Sequence, residues 1–464
     1  MMRIVTKINL LGLMTILPFM ISAQTTYEVF DGGNIQAAIN SAVSGDTIKI
    51  GEGIYPEALN ITKKIHLIGA GNRDSILIAS SGNTITLTTG SNGSSIIGFT
   101  IQSSLGVGIY VHFNQNSLNY LIMNNKIENC KIAGIQSGNY FNSANEFSYI
   151  SIIRNKISNC KIGIDGNNNP FITSAENLII DNDSLGIDTF RGLSSADSII
   201  NNGDGDGFGI ELVESGWISG ATISGNGGNG ILINDADKVT IIGNKIANNT
   251  SNGIQTAGNG TQSWKIYNNI ISGNQSNGIF FNYDIGGNQI FTQVSNNVIY
   301  GNTISGIYFD EYYFGGSALN DLLINNNIIA NNGVSGIGRD LVSNTWELTD
   351  IKLMYNNFYN NGINYANGFE AGYQDISADP IFVNVANDDY MLGNGSPSVN
   401  MGQPGTGWLD LDLTRDDQGI YGGSYSFSQY YLNPGAARVM RLMLSKRNVR
   451  QGDVITITAD GLAR

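Results

Sequence analysis

The sequence predicts an all-β protein built as a parallel β-solenoid, and three observations carry this prediction. Glycine and asparagine occupy 59 and 61 of the 464 positions, and both are poor helix formers. Isoleucine, valine, leucine and aromatic residues are interleaved throughout, so the chain has the apolar content that disordered sequences lack. A short motif also recurs along most of the chain, at intervals of 21 to 30 residues.

The repeat is marked by the dipeptide Gly-Ile. Its glycines are Gly108, Gly134, Gly163, Gly186, Gly209, Gly230, Gly253, Gly278, Gly306, Gly336 and Gly362. Asparagine precedes the glycine by four residues at Asn159, Asn182, Asn226, Asn249, Asn274, Asn302 and Asn332, and by nine at Asn125, Asn244, Asn269, Asn297 and Asn327. Such asparagines can form hydrogen-bonded ladders between stacked strands. A propeller blade needs roughly 40 residues, so this shorter period favours one coil of a solenoid with three short strands.

The two ends of a solenoid expose unpaired strand edges, so each end needs a segment that caps it. Residues 34–43 begin with an N-cap asparagine and have helical apolar spacing, which predicts a helical cap. Residues 434–464 carry six basic against two acidic residues and alternate as strands at 439–444 and 454–458. This short C-terminal β segment fits either the opening strands of a truncated immunoglobulin-like module or a hairpin packed on the end of the solenoid.

These patterns divide the chain into five predicted segments. A signal peptide occupies residues 1–23, and the N-terminal cap and first coils occupy residues 24–107. The β-helix repeats span residues 108–378, followed by C-terminal coils and a closing segment at 379–433. The basic β tail at 434–464 completes the sequence given.

The first segment and the net charge predict where the protein works. Arg3 and Lys7 precede an apolar run that ends at Ser22 and Ala23, the pattern of a cleavable secretion signal. We therefore expect a secreted or cell-surface monomer with no transmembrane segment in the mature chain. The formal net charge is −14 without a basic cluster before residue 434, so nucleic acid is not expected as a partner. An anionic polysaccharide would also be repelled unless a cation bridged the two surfaces.

Two stretches of sequence carry a family resemblance. NIQAAINSAV at 34–43, with the strands that follow it, resembles the N-terminal cap of the pectin-lyase-like right-handed parallel β-helix superfamily. The segments DPIFVN, DYML and SPSVNMG, within residues 379–402, are similar to the closing motif of its bacterial members. The resemblance covers roughly residues 27–425 and implies a right-handed parallel β-helix. It carries over no catalytic residue, because that superfamily includes lyases, hydrolases, epimerases and non-catalytic surface proteins.

A column of outward-pointing side chains is the first candidate site. Side chains alternate along a strand, so the residue after each inward Gly-Ile isoleucine points outward. These residues are Tyr110, Gln136, Asp165, Asp188, Glu211, Leu232, Gln255, Phe280, Tyr308 and Gly338. Asp165, Asp188 and Glu211 then form an acidic stripe on successive coils about 4.8 Å apart.

The acidic stripe is open to three interpretations. It is a solvated face, a site for calcium, which prefers oxygen ligands, or a set of catalytic carboxylates. Carboxylates about 5 Å apart suit a retaining glycosidase, and those about 9 Å apart suit an inverting one. A calcium-assisted lyase would need in addition a base, for which Arg191 or Lys161 is nearest in the sequence.

Aromatic residues follow the acidic stripe farther along the same column. They are Phe280, Tyr283, Tyr308, Tyr312 and Tyr313. They fit a platform on which sugar rings stack, or a set of large side chains that cover the bases of loops. Acidic coils that pass into aromatic coils along one face are typical of a polysaccharide-binding groove.

Cys130 and Cys160 occupy matching places in NCKIAGI and NCKIGI, one coil apart. Strand spacing places them within the Cα range of a disulfide, and an exported protein meets oxidising conditions. The two alternatives are a disulfide and a buried pair of free thiols.

The functional hypotheses follow from these sites. The first is a secreted or cell-surface β-helix protein that binds polysaccharide without catalysis. The second is a polysaccharide lyase or glycoside hydrolase acting on an extracellular glycan, and the third is a structural or adhesive surface protein. With His66 and His112 as the only histidines, a multi-histidine zinc site is excluded.

Overall fold

The computed structural model describes most of the chain after residue 23. The described residues are 24–112, 119–138, 149–167, 171–205, 207–257, 263–282, 292–310, 322–340, 351–405 and 408–431, with the backbone of 438–444 and 457–462. Strands dominate and run parallel in three stacked columns, which the chain visits in turn. The predicted all-β parallel β-helix is confirmed.

The first column pairs neighbouring coils through parallel ladders. Its strands are Thr26–Val29, Thr47–Ile50, His66–Gly69, Ser95–Ile97, Asn119–Met123, Tyr149–Ile153, Phe171–Ala175, the second halves of Leu185–Ser195 and Ile210–Ser219, Lys238–Ile242, Ser263–Tyr267, Thr292–Ser295, Leu322–Asn325 and Ile351–Met354.

The second column is a separate parallel sheet of 13 strands. Its strands are Gly53–Tyr55, Ile76–Ser80, Thr100–Ser103, Lys126–Cys130, Lys156–Ser158, Leu178–Ile180, Ser198–Ile200, Thr222–Ser224, Lys245–Ala247, Ile270–Ser272, Val298–Tyr300, Ile328–Ala330 and Asn357–Tyr359.

The third column contains the Gly-Ile repeats. Its strands are Leu59–Ile61, Ile85–Leu87, Val107–Val111, Ala133–Ser137, Ile162–Asp165, the first halves of Leu185–Ser195 and Ile210–Ser219, Ile231–Asn234, Ile254–Ala257, Ile279–Asn282, Ser305–Asp310, Ser335–Arg339 and Ile363–Tyr365. The strands Leu185–Ser195 and Ile210–Ser219 continue without interruption from the third column into the first.

The isoleucines of the first ten Gly-Ile repeats lie in the core, one above the other. Paired in register, these buried side chains are Ile109, Ile135, Ile164, Ile187, Ile210, Ile231, Ile254, Ile279, Ile307 and Ile337. The eleventh repeat departs from the pattern, since Ile363 is 58% exposed and Tyr365 pairs with Ile337. The glycine before each isoleucine is required by close packing. A Cβ at Gly163 would lie 2.5 Å from the carbonyl oxygen of Gly186 and 2.6 Å from Cγ2 of Ile179.

Buried asparagines form the predicted ladders along the turns. The longest runs through Asn182, Asn202, Asn226, Asn249, Asn274, Asn302, Asn332 and Asn361, and a second through Asn244, Asn269, Asn297, Asn327 and Asn356. Asn159 does not join the longest ladder. Its backbone is left-handed (φ 53°), and Cys160 takes the ladder place, since the Cys160 amide donates to Asn182 Oδ1 at 3.1 Å.

A helix forms at Ile35–Ser41, where the sequence predicts one. The Asn34 side chain accepts a hydrogen bond from the Ala37 amide, and Ile35 and Ile39 pack into the core. Its role as a cap on the end of the solenoid stays a prediction. No helix among the described residues is long and apolar enough to span a membrane.

Residues 379–431 fold back along the outside of the second column. The short helix Phe427–Tyr430 and the antiparallel pair Phe382–Asn384 and Asp389–Leu392 belong to this segment. Phe427, Tyr390 and Ile420 pack on outward residues of the second column, including Val298 and Ile328. The outer face of the second column is therefore covered in these coils. The same segment also reaches the first column, where Tyr425 stacks on Tyr267 with ring centroids 6.2 Å apart.

The basic tail contains one antiparallel pair, Arg438–Leu444 with Ile457–Leu462. The first strand matches the predicted 439–444. The second lies C-terminal to the predicted 454–458, of which residues 454–456 are outside the described residues. The remaining regular elements are the 3₁₀ turns Arg73–Ser75, Thr89–Ser91 and Val385–Asn387.

Candidate functional site

The outward column predicted from the repeat is present on the third column. Tyr110, Gln136, Asp165 and Asp188 are neighbours in register. A second run of direct neighbours follows, which is Glu211, Leu232, Gln255, Phe280, Tyr308 and Gly338. Between the two runs the register shifts after the pair Ile187 and Ile210, where Thr189 has a left-handed backbone (φ 45°).

The three predicted acidic residues are brought together in a hydrogen-bonded row. Asp165 accepts hydrogen bonds from Gln136 Nε2 at 2.7 Å and from the Asn167 amide at 3.0 Å. At the other end of the row, Glu211 accepts one from Asn234 Nδ2 at 2.8 Å. Asp188 lies between them, and the neighbouring carboxyl group of Glu211 helps to raise its pKa.

The environment of the row favours the protonated form of Asp188. Burial, the hydrogen bond to Glu211, and the negative charges of Glu211 and Asp165 together raise the pKa of Asp188 to about 7. Burial also raises the pKa of Asp165, although the hydrogen bonds from Gln136 and Asn167 oppose this shift. Near neutral pH the row therefore combines an acid that can give up a proton with neighbouring carboxyl groups that can accept one.

Arg191, the predicted lyase base, is held in an ion pair. Its Nη1 lies 2.9 Å from Glu214 Oε2, and its side chain is 29% exposed. A guanidinium group keeps its proton at any physiological pH, and a paired carboxylate strengthens that preference. Arg191 therefore cannot remove a proton from a substrate here. Lys161, the other residue considered, is exposed on the turn before the strand Ile162–Asp165.

The acidic row does not have the arrangement of a calcium site. Within the described ranges, no group of three or more acidic, histidine or cysteine side chains is placed to hold a metal ion. Calcium binding by Asp165, Asp188 and Glu211 stays a prediction from the sequence, and no step proposed for this site uses it.

Two of the five predicted aromatic residues can be placed. The rings of Phe280 and Tyr308 stack with centroids 6.2 Å apart and an interplanar angle of 25°. Both are half-buried on the outer face, and Tyr308 donates a hydrogen bond to Asp340 Oδ1 at 2.5 Å. Tyr283, Tyr312 and Tyr313 lie outside the described residues. Sugar binding by these rings stays a prediction.

Cys130 and Cys160 are buried free thiols, which is the second of the two predicted alternatives, in place of the disulfide. The hydrogen bond between them and their burial raise the pKa of the Cys130 thiol. A thiol with a raised pKa is a poor nucleophile, so this pair serves packing at the position that asparagine fills in later coils.

Sequence reasoning missed Asn234 and the register shift at Thr189. Asn234 could have been found, because it lies two residues after Leu232 and therefore on the same outward face. The shift at Thr189 has no comparable signal, since the residue is neither glycine nor asparagine. It nevertheless follows Asp188 directly, where the register with the strand Ile210–Ser219 shifts.

The fold and the row define a parallel β-helix with an open face that carries a carboxyl pair. A family model described as "Right handed beta helix region" matches residues 208–377, less than half of the chain. No protein with a curated description matches the sequence.

Solved structures similar to this chain include two modules from Azotobacter vinelandii. The mannuronan C-5 epimerase AlgE4 A-module is 18% identical, with coverage of 74% of this chain and 92% of that chain and a TM-score of 0.43. The AlgE6 A-module is 17% identical, with coverage of 75% and 94% and a TM-score of 0.44. Pectate lyase Pel9A is 14% identical, with coverage of 86% and 96% and a TM-score of 0.39. None of these similarities assigns an activity to this chain.

The buried carboxyl groups predict that acidic conditions stabilise the fold. The pKa is raised by burial to about 7 at Asp188, about 6 at Asp410 and about 8 at Asp416. The native state then binds more protons than the unfolded state between about pH 4 and 8, so stability falls as pH rises through that window. We expect a loss of about 3–5 kcal/mol between pH 4.5 and 8.5, dominated by the fully buried Asp416.

Urea unfolding across this pH range measures the effect. Asp188→Asn removes one of the titrating groups and should reduce the slope of stability against pH between about pH 4 and 7, which makes it the informative variant. The exposed Asp74→Asn serves as the matched control and should leave the slope unchanged. Stability that is flat or rises from pH 4.5 to 8.5 would contradict the raised pKa values.

Proposed function

We propose that this protein is an exported glycoside hydrolase that binds a largely neutral polysaccharide along the outer face of its third column. The observation that carries the proposal is the pair of neighbouring carboxyl groups of Asp188 and Glu211 on the outward face of the third column, where the pKa of Asp188 is raised to about 7. Stacked aromatic rings on the same column support it, because sugar rings pack on such surfaces. A merely solvated acidic face would not need two carboxyl groups in contact.

Hydrolysis is favoured over elimination for two reasons. A lyase acting on a uronate needs a base that removes the proton next to the sugar carboxylate. Arg191 is protonated and paired with Glu214, so it cannot supply that base. A uronate polymer would also be repelled at this site by the row of acidic side chains.

Asp188 is the proposed general acid. With a pKa of about 7 it carries a proton near neutral pH and can donate it to the glycosidic oxygen as the bond to the leaving sugar breaks. Asp165 lies one strand away in direct register, about 4.8 Å, close to the separation of about 5 Å in retaining glycosidases. We propose that Asp165 attacks the anomeric carbon, and that Asp188 then takes a proton from the water that releases the sugar.

Glu211 is proposed to position and tune Asp188. Its carboxyl group helps to raise the pKa of Asp188, and it accepts a hydrogen bond from Asn234 at 2.8 Å. Two strands separate it from Asp165, on the order of 9 Å, which is the spacing of an inverting pair. If Glu211 instead activated water, the reaction would invert the anomeric centre, so product stereochemistry separates the two roles.

The aromatic pair extends the proposed binding face. Phe280 lies three strands beyond Glu211 on the same column, about 14 Å away. A glycan chain lying along the column would reach both the carboxyl pair and the stacked rings of Phe280 and Tyr308. A protein that only binds glycans would use these rings in the same way, and the sequence alone favours that reading. The contact between Asp188 and Glu211 is the reason to prefer catalysis.

Product analysis tests the proposal. The full chain is incubated at pH 6 with neutral polysaccharides (β-glucan, xylan, mannan and α-glucan) and with polygalacturonate and alginate, with and without chelator. We expect oligosaccharides of ordinary hydrolytic mass from a neutral polymer, unaffected by chelator, and retention of the anomeric configuration by NMR. Products that lack one water would overturn hydrolysis in favour of a lyase. Binding without products from any of these polymers would favour the non-catalytic protein.

A further inference from the structure

A groove on the first column is a second candidate binding site, separate from the acidic row. It has a volume of about 330 Å³ and is lined by side chains that include Trp217, Lys238, Thr240, Ser263 and Lys265. Trp217 is 39% exposed at the middle of a sheet face. By contrast Trp264, two strands away, is buried and donates its indole N–H to the carbonyl of Ala236 at 2.8 Å. An exposed tryptophan in an ordered strand has a free ring face available to a ligand.

Strand register places the two lysines beside the tryptophan. Trp217, Thr240 and Lys265 are direct neighbours on three successive strands. Lys238 lies two residues before Thr240, on the same face and next to Ser263. The two ammonium groups therefore extend from adjacent strands with attachment points about 8 Å apart, along the same side of the groove as the indole ring. This spacing lets one anionic group contact both lysines.

The charge of the groove is opposite to that of the whole chain. Its lining contains Lys238 and Lys265 and no carboxylate. In the part of the chain that the structure describes, neither lysine is in a salt bridge, whereas Arg191, Arg154 and Lys126 each have an acidic partner. With a net charge of −14 overall, a pocket lined by two unpaired lysines marks a site for an anion.

The groove and the acidic row are independent sites. Glu211 and Trp217 lie six residues apart on the strand Ile210–Ser219, which corresponds to roughly 20 Å. The ion pair between Arg191 and Glu214 lies between them. Loss of activity at the row and loss of binding at the groove can therefore be measured separately.

We infer that this groove binds an anionic sugar unit. The sugar ring stacks on Trp217, as apolar C–H faces pack on indole rings, and its carboxylate or sulfate group lies between Lys238 and Lys265. Thr240 and Ser263 offer hydroxyl groups between these side chains for sugar hydroxyls. The inference concerns binding only and does not depend on catalysis at Asp188.

Binding of defined polymers to the full chain tests the inference. Affinity electrophoresis and calorimetry are carried out with polygalacturonate, dextran sulfate and neutral dextran at 20 and 200 mM NaCl. We expect binding to an anionic polymer and not to dextran, with weaker binding at the higher salt concentration. Binding to polygalacturonate alone would assign a uronate, and binding to dextran sulfate alone would assign a sulfate ester. Either result supports the anionic site.

Two variants locate the binding. Lys238→Gln combined with Lys265→Gln should weaken binding about tenfold and reduce its salt dependence, and Trp217→Ala should weaken it about tenfold at both salt concentrations. The exposed Lys131→Gln and Phe30→Ala are the matched controls and should bind like the native protein. Equal affinity for dextran, or native affinity in the lysine and tryptophan variants, overturns the inference. Circular dichroism confirms that each variant is folded.

Discussion

Replacing Asp188 by asparagine is expected to slow glycan hydrolysis by about 10²- to 10⁴-fold, the usual contribution of a general acid. Asparagine keeps the shape of the side chain but has no transferable proton at this pH. Substrate binding along the third column should change little, because the rings of Phe280 and Tyr308 are untouched. The measurement is the rate of product release on the polymer identified by mass spectrometry, with binding measured in parallel.

Two further variants test whether the effect is specific to Asp188 and whether Glu211 sets its pKa. Asp183→Asn removes an exposed carboxyl group five residues earlier and should leave the rate unchanged, so it controls for the loss of one charge. Glu211→Gln should move the falling alkaline limb of the pH–rate profile to lower pH, because the negative charge that raises the pKa of Asp188 is lost. A structural role for Glu211 would lower the rate without moving the limb. Native rates in Asp188→Asn would remove this residue from the mechanism.

The position of the candidate site could be read from the sequence, because it depends on strand periodicity alone. Once the isoleucine of each Gly-Ile points inward, alternation places Asp165 and Asp188 on the outer face of adjacent coils. The contact between Asp188 and Glu211 could not be read in this way. It depends on the left-handed backbone at Thr189 and on Asn234, which holds Glu211 from the next coil.

The repeating part of the fold could also be predicted from the sequence, whereas the non-repeating part was harder to predict. The period predicted a three-strand coil, and the ladders of buried asparagine follow the predicted spacing, except that Cys160 replaces Asn159. The packing of residues 379–431 on the second column was not predicted. Its contacts, such as Phe427 near Val298, join segments more than 100 residues apart, and a single sequence contains no periodic signal for them.

The asparagine ladders predict a large effect on stability. Asn249 is fully buried, and its Nδ2 donates to Asn274 Oδ1 at 2.9 Å and to the Ile223 carbonyl at 3.3 Å. Its Oδ1 accepts from the amide and the Nδ2 of Asn226, at 3.1 and 2.9 Å. Asn249→Ala leaves the backbone amide of Asn226 without an acceptor in the core, and it removes the Nδ2 donor that serves Asn274 Oδ1 and the Ile223 carbonyl. We expect a loss of about 3 kcal/mol in the free energy of unfolding, because each unsatisfied buried group costs about 1–3 kcal/mol.

Urea unfolding measures this loss, with the exposed neighbour Thr250→Ala as the control that should change stability little. Asn249→Asp separates hydrogen bonding from side-chain volume. The aspartate can still accept from Asn226, but a charged oxygen would face Asn274 Oδ1 and the Ile223 carbonyl, where Nδ2 now donates. Protonation restores one donor, so this variant should be more stable at pH 5 than at pH 8 by a wider margin than the native chain. If Asn249→Ala unfolds like Thr250→Ala, the ladder does not stabilise the coil, and the packing of glycine and isoleucine alone must hold the repeats together.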